Sequence, residues 1–195
     1  MDTSRRSLII ALAGAALSAA CASGPARPTR EFLDTDTGVT VTSSREPVVL
    51  YRDSAATAAY ARKLLHLGPI EVNRSGDYRY FLWLGIWNTL QPSDAAEQRD
   101  GFESIVILVD GEPLMLELAG WTPSAIGASV PVYPKPVASA ADAYYPVTVD
   151  QIRFMAEAAD LRLRTTGAAP AEYELWDGPR QARRSLRSFL EAVGY

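Results

Sequence analysis

The chain has 195 residues and a formal net charge of −4 at pH 7, a size that suits one domain able to bury about 70% of its unfolded surface without a disulfide or metal staple. Its mild acidity argues against a duplex nucleic-acid binder, which draws affinity from basic side chains that displace phosphate counterions. With one cysteine and one histidine, Cys21 and His66, the chain cannot form an internal disulfide, a cysteine-pair zinc site or any site that needs two imidazoles.

The first six residues carry Arg5 and Arg6, and Ser7 to Ala20 is an uncharged run of Leu, Ile, Ala, Gly and Ser. As a helix that run would reach about 21 Å, short of the roughly 30 Å hydrocarbon core of a bilayer. It therefore reads as an export signal and not as a membrane span. Small residues Ser18, Ala19 and Ala20 lead into the cysteine. The stretch Leu17-Ser18-Ala19-Ala20-Cys21 resembles the lipobox of bacterial lipoprotein precursors, with its large aliphatic residue four places before the cysteine where three is usual. That resemblance implies removal of residues 1–20, acylation of Cys21 and stable attachment to a membrane by several acyl chains. Ala22 after the cysteine resembles the pattern sorted to the outer membrane, so the expected address is the periplasmic face of the bacterial cell envelope. Ser4-Arg5-Arg6-Ser7-Leu8-Ile9 is also similar to a twin-arginine export motif; a generic basic start is the alternative reading. Losing Arg5, Arg6 and Asp2 with the signal makes the mature protein one charge more negative, and leaves no thiol in its folded part.

Residues 21–30 read as a Pro- and Gly-containing tether, followed by a single globular domain over 31–195. In it, Gly38 to Thr42 and Pro47 to Tyr51 are short β-branched strands, and Asp53 and Ser54 would cap a short Ala-rich helix through about Lys63. Leu64 to Asn73 reads as a strand bent near Gly68-Pro69, and the turn Arg74 to Asp77 passes it into a long strand, Tyr78 to Leu90. Asp110-Gly111 between Glu103–Val109 and Pro113–Leu118 is the strongest hairpin signal, because both residues accept the positive φ of a tight primed turn. Gly120 to Ala143 is expected to be a long loop.

Toward the C-terminus, Thr148 and Gln151 form a capping box with Val147 and Ile152 as its hydrophobic staple. Ile152, Met155, Ala156 and Ala159 share a helical face. Asp160–Thr165 and Glu172–Trp176 alternate as strands around a Gly167-to-Pro170 turn. Pro179 opens a last helix whose apolar positions Ala182, Leu186, Phe189, Leu190 and Val193 follow the helical period, with Gly194 as its stop. The expected fold is α+β: mostly antiparallel β, as a sandwich or a sheet, with two C-terminal helices packed on it.

Three groups of residues are candidates for function. Arg180, Arg183, Arg184 and Arg187 cluster opposite the apolar stripe of the last helix, either as a solvated face or as a contact for an envelope protein, glycan or anionic lipid. Trp83, on a strand apolar on both faces, belongs either to a central strand covered on both sides or, with Trp87 and Trp121, to a ligand platform. Asp110 and Glu112, with Glu103 and Glu117, could supply an acid and a base to a hydrolase, although each also fits a turn or a solvent-facing position. No Gly-x-Ser-x-Gly elbow, Ser-x-x-Lys pair or Gly-rich phosphate loop is present, so neither a catalytic constellation nor a cofactor is expected. His66 reads as a structural strand residue. The leading expectation is a non-catalytic, lipid-anchored envelope protein that assembles with a partner; the alternatives are a carboxylate-dependent cell-wall hydrolase and a lipid or small-ligand carrier with an apolar cavity at Trp83 or Trp87.

Overall fold

The computed structural model describes residues 27–53, 62–89 and 98–195. Ten strands make one antiparallel sheet: β1 (Thr29–Asp34), β2 (Val39–Ser44), β3 (Val48–Asp53), β4 (Arg62–Arg74), β5 (Asp77–Asn88), β6 (Ser104–Val109), β7 (Glu112–Glu117), β8 (Ala141–Val147), β9 (Leu161–Thr165) and β10 (Glu172–Leu175). Among the described residues two complete α-helices, α1 (Val149–Glu157) and α2 (Pro179–Ala192), come late in the chain. The α+β class and the C-terminal placement of the helices are as the sequence predicts, and the sheet is continuous rather than a pair of stacked sheets.

The long hairpin β4–β5 is the axis, with every residue pair in register from Lys63↔Asn88 to Arg74↔Asp77. Asn73 tightens its turn by accepting the Gly76 N–H at 2.8 Å. On its other edge β4 changes partner: Arg62 to Leu67 pair with β3, and Ile70 to Asn73 pair with β2. Gly68-Pro69 sits in the gap, where a proline without an N–H interrupts no ladder. From β3 the order continues through β10, β9, β6 and β7, while β5 pairs with β8. After β7 the chain turns back onto β8, Ala119 N–H donating to the Tyr144 carbonyl at 2.8 Å and Tyr144 N–H to that of Gly120 at 3.0 Å. The eight strands β3 to β10 thereby close into a ring, with β1 and β2 as a flap on β4.

Because side chains alternate across a strand, β4 and β5 feed two cores. Leu65, Leu67, Leu82, Leu84 and Ile86 join the main core with Ile105, Ile107, Leu163, Tyr145 and Tyr173. Ile152, Met155 and Ala156 of α1 and Leu186, Phe189 and Leu190 of α2 pack into that same core. On the opposite face Ile70, Val72, Phe81 and Trp83 meet Val39 and Val41 of β2, with Ile126, Val132 and Tyr133 from the β7–β8 connection as a lid. The long connection expected from Gly120 is thus a structural cover. Its central anchor is Asp34, which accepts the Ser129 N–H at 2.5 Å and hydroxyl at 2.7 Å.

Several expectations are corrected. The tether yields to strand at Thr29, so Thr29 and Arg30 belong to β1. The segment Ala141 to Val147, partly assigned to a loop, is β8: its residues Ala141 to Tyr145 are buried on both faces, which erases the alternation that marks a half-exposed strand. Helix α1 ends at Glu157, before Ala159. Most of the Ala-rich helix expected after Asp53 lies outside the described residues, and Lys63 is already strand. The signal, Cys21 and most of the tether also lie outside them.

Candidate functional site

Helix α2 begins where Gly178, at φ 75°, turns the chain and Pro179 supplies a preset φ for the first turn. Ala182, Leu186, Phe189 and Leu190 are buried in the main core, which fixes the helix in rotation. Polar contacts fix it in position: Ser185 donates to the Glu46 carbonyl at 2.6 Å, and Gln181 Nε2 to the Glu46 carboxylate at 3.1 Å.

The four predicted arginines divide. Arg183 is half-buried and its Nε donates to the Ala158 carbonyl at 2.6 Å, tying α2 to the end of α1. Arg180, Arg184 and Arg187 are exposed on one stripe, and none has an ion pair or hydrogen bond among the described residues. Beside them an open concavity of about 430 Å³ is lined by Asp177, Arg180, Gln181 and Arg184. Three guanidiniums on a rigid helix, each with five N–H donors in a planar fork, can take phosphate or carboxylate groups bidentately.

The tryptophans do not converge. Trp83 is 1% exposed, lies flat on Tyr133 and donates its Nε1–H to Asp142 at 3.0 Å. Asp142 in turn pairs with Lys135 at 3.3 Å. A methyl group at Gly85 would meet the Trp83 ring at 2.6 Å, so the indole fills its space and lines no cavity. Trp87 is half-buried and meets His66 edge to face at 5.7 Å. Burial lowers the His66 pKa, which keeps the imidazole neutral at pH 7. Trp121 packs against the main core beneath the Arg99 guanidinium, 5.1 Å from its ring. Trp83 therefore belongs to a central strand covered on both faces.

The predicted carboxylates are all exposed. Asp110 adopts φ 52° in its turn and accepts the N–H groups of Asp160 at 2.7 Å and Ala159 at 2.8 Å, which hold its carboxyl below the ordinary range. Glu112 pairs with Val109 at that turn, whereas Glu117 pairs with Ser104 at the other end of the hairpin, about 17 Å away at strand spacing. No shared cleft joins them.

Two constellations escape a reading of the sequence. Glu71 is buried near the end of β4, where desolvation raises its pKa against the opposing hydrogen bond from the Tyr80 hydroxyl, and the charge of Glu31 raises it further. The alternation of β4 carries no signal of this, since Glu71 is flanked by apolar residues on both sides. Outside the ring, Tyr51 meets Trp176 edge to face at 5.1 Å, and Arg62 lies 4.6 Å over Trp176. Only the registers of β10 against β3 and of β3 against β4 bring those residues together.

Among the described residues no cluster of three His, Cys, Asp or Glu could hold a metal ion, and no helix is long and apolar enough to cross a membrane. Compared with known protein families, curated proteins and solved structures, the chain matches none.

Proposed function

We propose that the protein is a non-catalytic lipoprotein of the bacterial cell envelope, acylated at Cys21, that assembles with an anionic envelope partner through α2. The observation that carries this reading is the stripe Arg180, Arg184 and Arg187: three exposed guanidiniums without a partner among the described residues, on a helix held rigid by its buried face. Such charge on an acidic chain is placed, not diffuse, and a preorganised cationic face gives orientation and encounter rate to an anionic partner. The lipobox-like stretch before Cys21 supplies the address.

Mass spectrometry of the mature N-terminus tests the anchor: the chain starts at Cys21 and carries the mass of its acyl chains. Capture of envelope components by the full-length protein, compared with an Arg180→Gln, Arg184→Gln, Arg187→Gln variant, tests the face. Loss of capture in the variant is the expected result. Equal capture, or turnover of a cell-wall substrate by the purified protein, overturns the reading.

A further inference from the structure

We infer that the partner of the α2 arginine stripe is the anionic phospholipid headgroup surface of the same membrane to which Cys21 is anchored, so that the domain lies docked on the bilayer through α2. This rests on the anchoring proposed above and adds to it an orientation.

The argument is one of placement. The described chain enters the fold at Arg27 and Pro28, and the Pro28 carbonyl accepts the Arg45 N–H at 2.8 Å. The very next residue, Glu46, holds Gln181 and Ser185 of α2 through its carboxylate and its carbonyl. The point where the tether meets the domain is thus one residue removed from the first turns of α2. Six residues lie between Cys21 and Pro28, and the seven Cα-to-Cα steps reach at most about 25 Å when fully extended. A lipid on Cys21 therefore confines the start of α2 to the neighbourhood of the headgroups. The opposite end of β1, at Asp34 and the turn after it, stands about 17 Å further off.

Charge completes the match. Arg180, Arg184 and Arg187 share one stripe, and Arg45 is exposed at the same end of the sheet. Asp177, Glu191 and the Glu46 carboxylate border the stripe, and with Arg45 included it stays net cationic. The whole chain is acidic, so an anionic surface repels most of it and attracts this face, which selects one orientation. Each arginine near an anionic membrane contributes about 1 kcal/mol, a roughly fivefold factor. Alone that is weak, but a short tether makes docking intramolecular and raises the effective concentration of headgroups. An acidic protein would need the same stripe without needing it beside the tether.

The full-length Ser188→Cys protein, processed by an envelope-competent bacterial host, carries a second thiol next to Arg187 and one turn beyond Arg184. It is labelled with a polarity-sensitive fluorophore and reconstituted into vesicles of phosphatidylglycerol and phosphatidylcholine in equal parts, or of phosphatidylcholine alone. One label per chain, with emission shifted to shorter wavelength only on the phosphatidylglycerol vesicles, is expected. The shift should fall about fivefold in docked-to-free ratio for each of Arg180, Arg184 and Arg187 changed to Gln, fall with added salt, and be absent for the same label at Asp36→Cys. One label with identical emission on both vesicles overturns the docking and leaves the anchor standing. Retention of the shift when all three arginines are changed overturns it as well. Two labels per chain mean a free Cys21 thiol and overturn the anchor first.

Discussion

The indole of Trp83 lies on the ring of Tyr133 with centroids 4.5 Å apart and planes 14° from parallel. Beneath the pair, the Tyr133 hydroxyl donates to the Pro69 carbonyl at 2.9 Å and lies 2.9 Å from Ser44 Oγ. One side chain of the β7–β8 connection therefore closes the second core and occupies the gap where β4 changes partner. Burial raises its pKa, so it stays a neutral donor throughout the accessible pH range.

Replacing Tyr133 with Ala should cost about 3–5 kcal/mol, the scale for deleting a buried aromatic. Tyr133→Phe keeps the stack but leaves the Pro69 carbonyl without its donor, at about 1–3 kcal/mol. Urea unfolding followed by tryptophan emission measures both. A Tyr133→Ala protein as stable as the parent would mean that the connection is not a structural cover.

Asp34 and Glu71 should respond to pH with opposite signs. The N–H of Ser129, then its hydroxyl, pull the Asp34 pKa down to about 2 from 3.8. A lowered folded pKa contributes stability that is complete above the unfolded value, so this contribution is lost between about pH 4 and pH 2. Thermal melts of Asp34→Asn should sit below the parent at pH 7 and converge with it at the acid end.

Glu71 is the reverse case. Desolvation raises its pKa above 4.5, so its contribution is intact below that value and is lost as pH rises through the raised one. Glu71→Gln should melt higher than the parent at pH 7 and lose that advantage at pH 4. A lower melting temperature at pH 7 would mean that the Tyr80 hydrogen bond to the ionised carboxylate outweighs its desolvation.

The arginines of α2 should separate in a stability assay. Arg183→Ala removes a charged donor from the Ala158 carbonyl at the end of α1, a loss of about 1–2 kcal/mol. Arg184→Ala, one residue on and exposed, should stay within about 0.5 kcal/mol of the parent. Equal losses would erase the division between the tie and the free stripe.

What the sequence makes legible here is what local chemistry encodes. The Asp110-Gly111 hairpin forms with the positive φ its turn type demands, and the capping box forms in both directions, Gln151 N–H to Thr148 Oγ1 at 3.2 Å and Thr148 N–H to Gln151 Oε1 at 2.8 Å. Thr148→Ala should accordingly cost about 1 kcal/mol in urea unfolding. The arginine stripe is readable too, because the helical period puts it opposite Leu186 and Phe189. That Arg183 leaves the stripe for Ala158 is not readable, since the contact depends on how two helices pack. Strands β1 and β8 escape for a related reason: β8 is buried on both faces, and β1 is an edge strand whose residues show no clean alternation of exposure. The outward cluster of Tyr51, Arg62 and Trp176 exists only through strand pairing across more than half the chain.

The join at Gly120 and Tyr144 has a dynamic consequence. Elsewhere the ring is held by named strand ladders, the shortest being β10 on β3 with its two residue pairs and the Trp176 N–H to the Val49 carbonyl, while here a single bridge with two amide protons, those of Ala119 and Tyr144, holds its ends. When the wall breathes it should part at this seam, because separating β7 from β8 costs the fewest bonds. Those two amides should then trade their protons for deuterium ahead of the amides of β4 and β5, and a proline replacing Ala119 should unzip the cylinder while leaving the central hairpin intact.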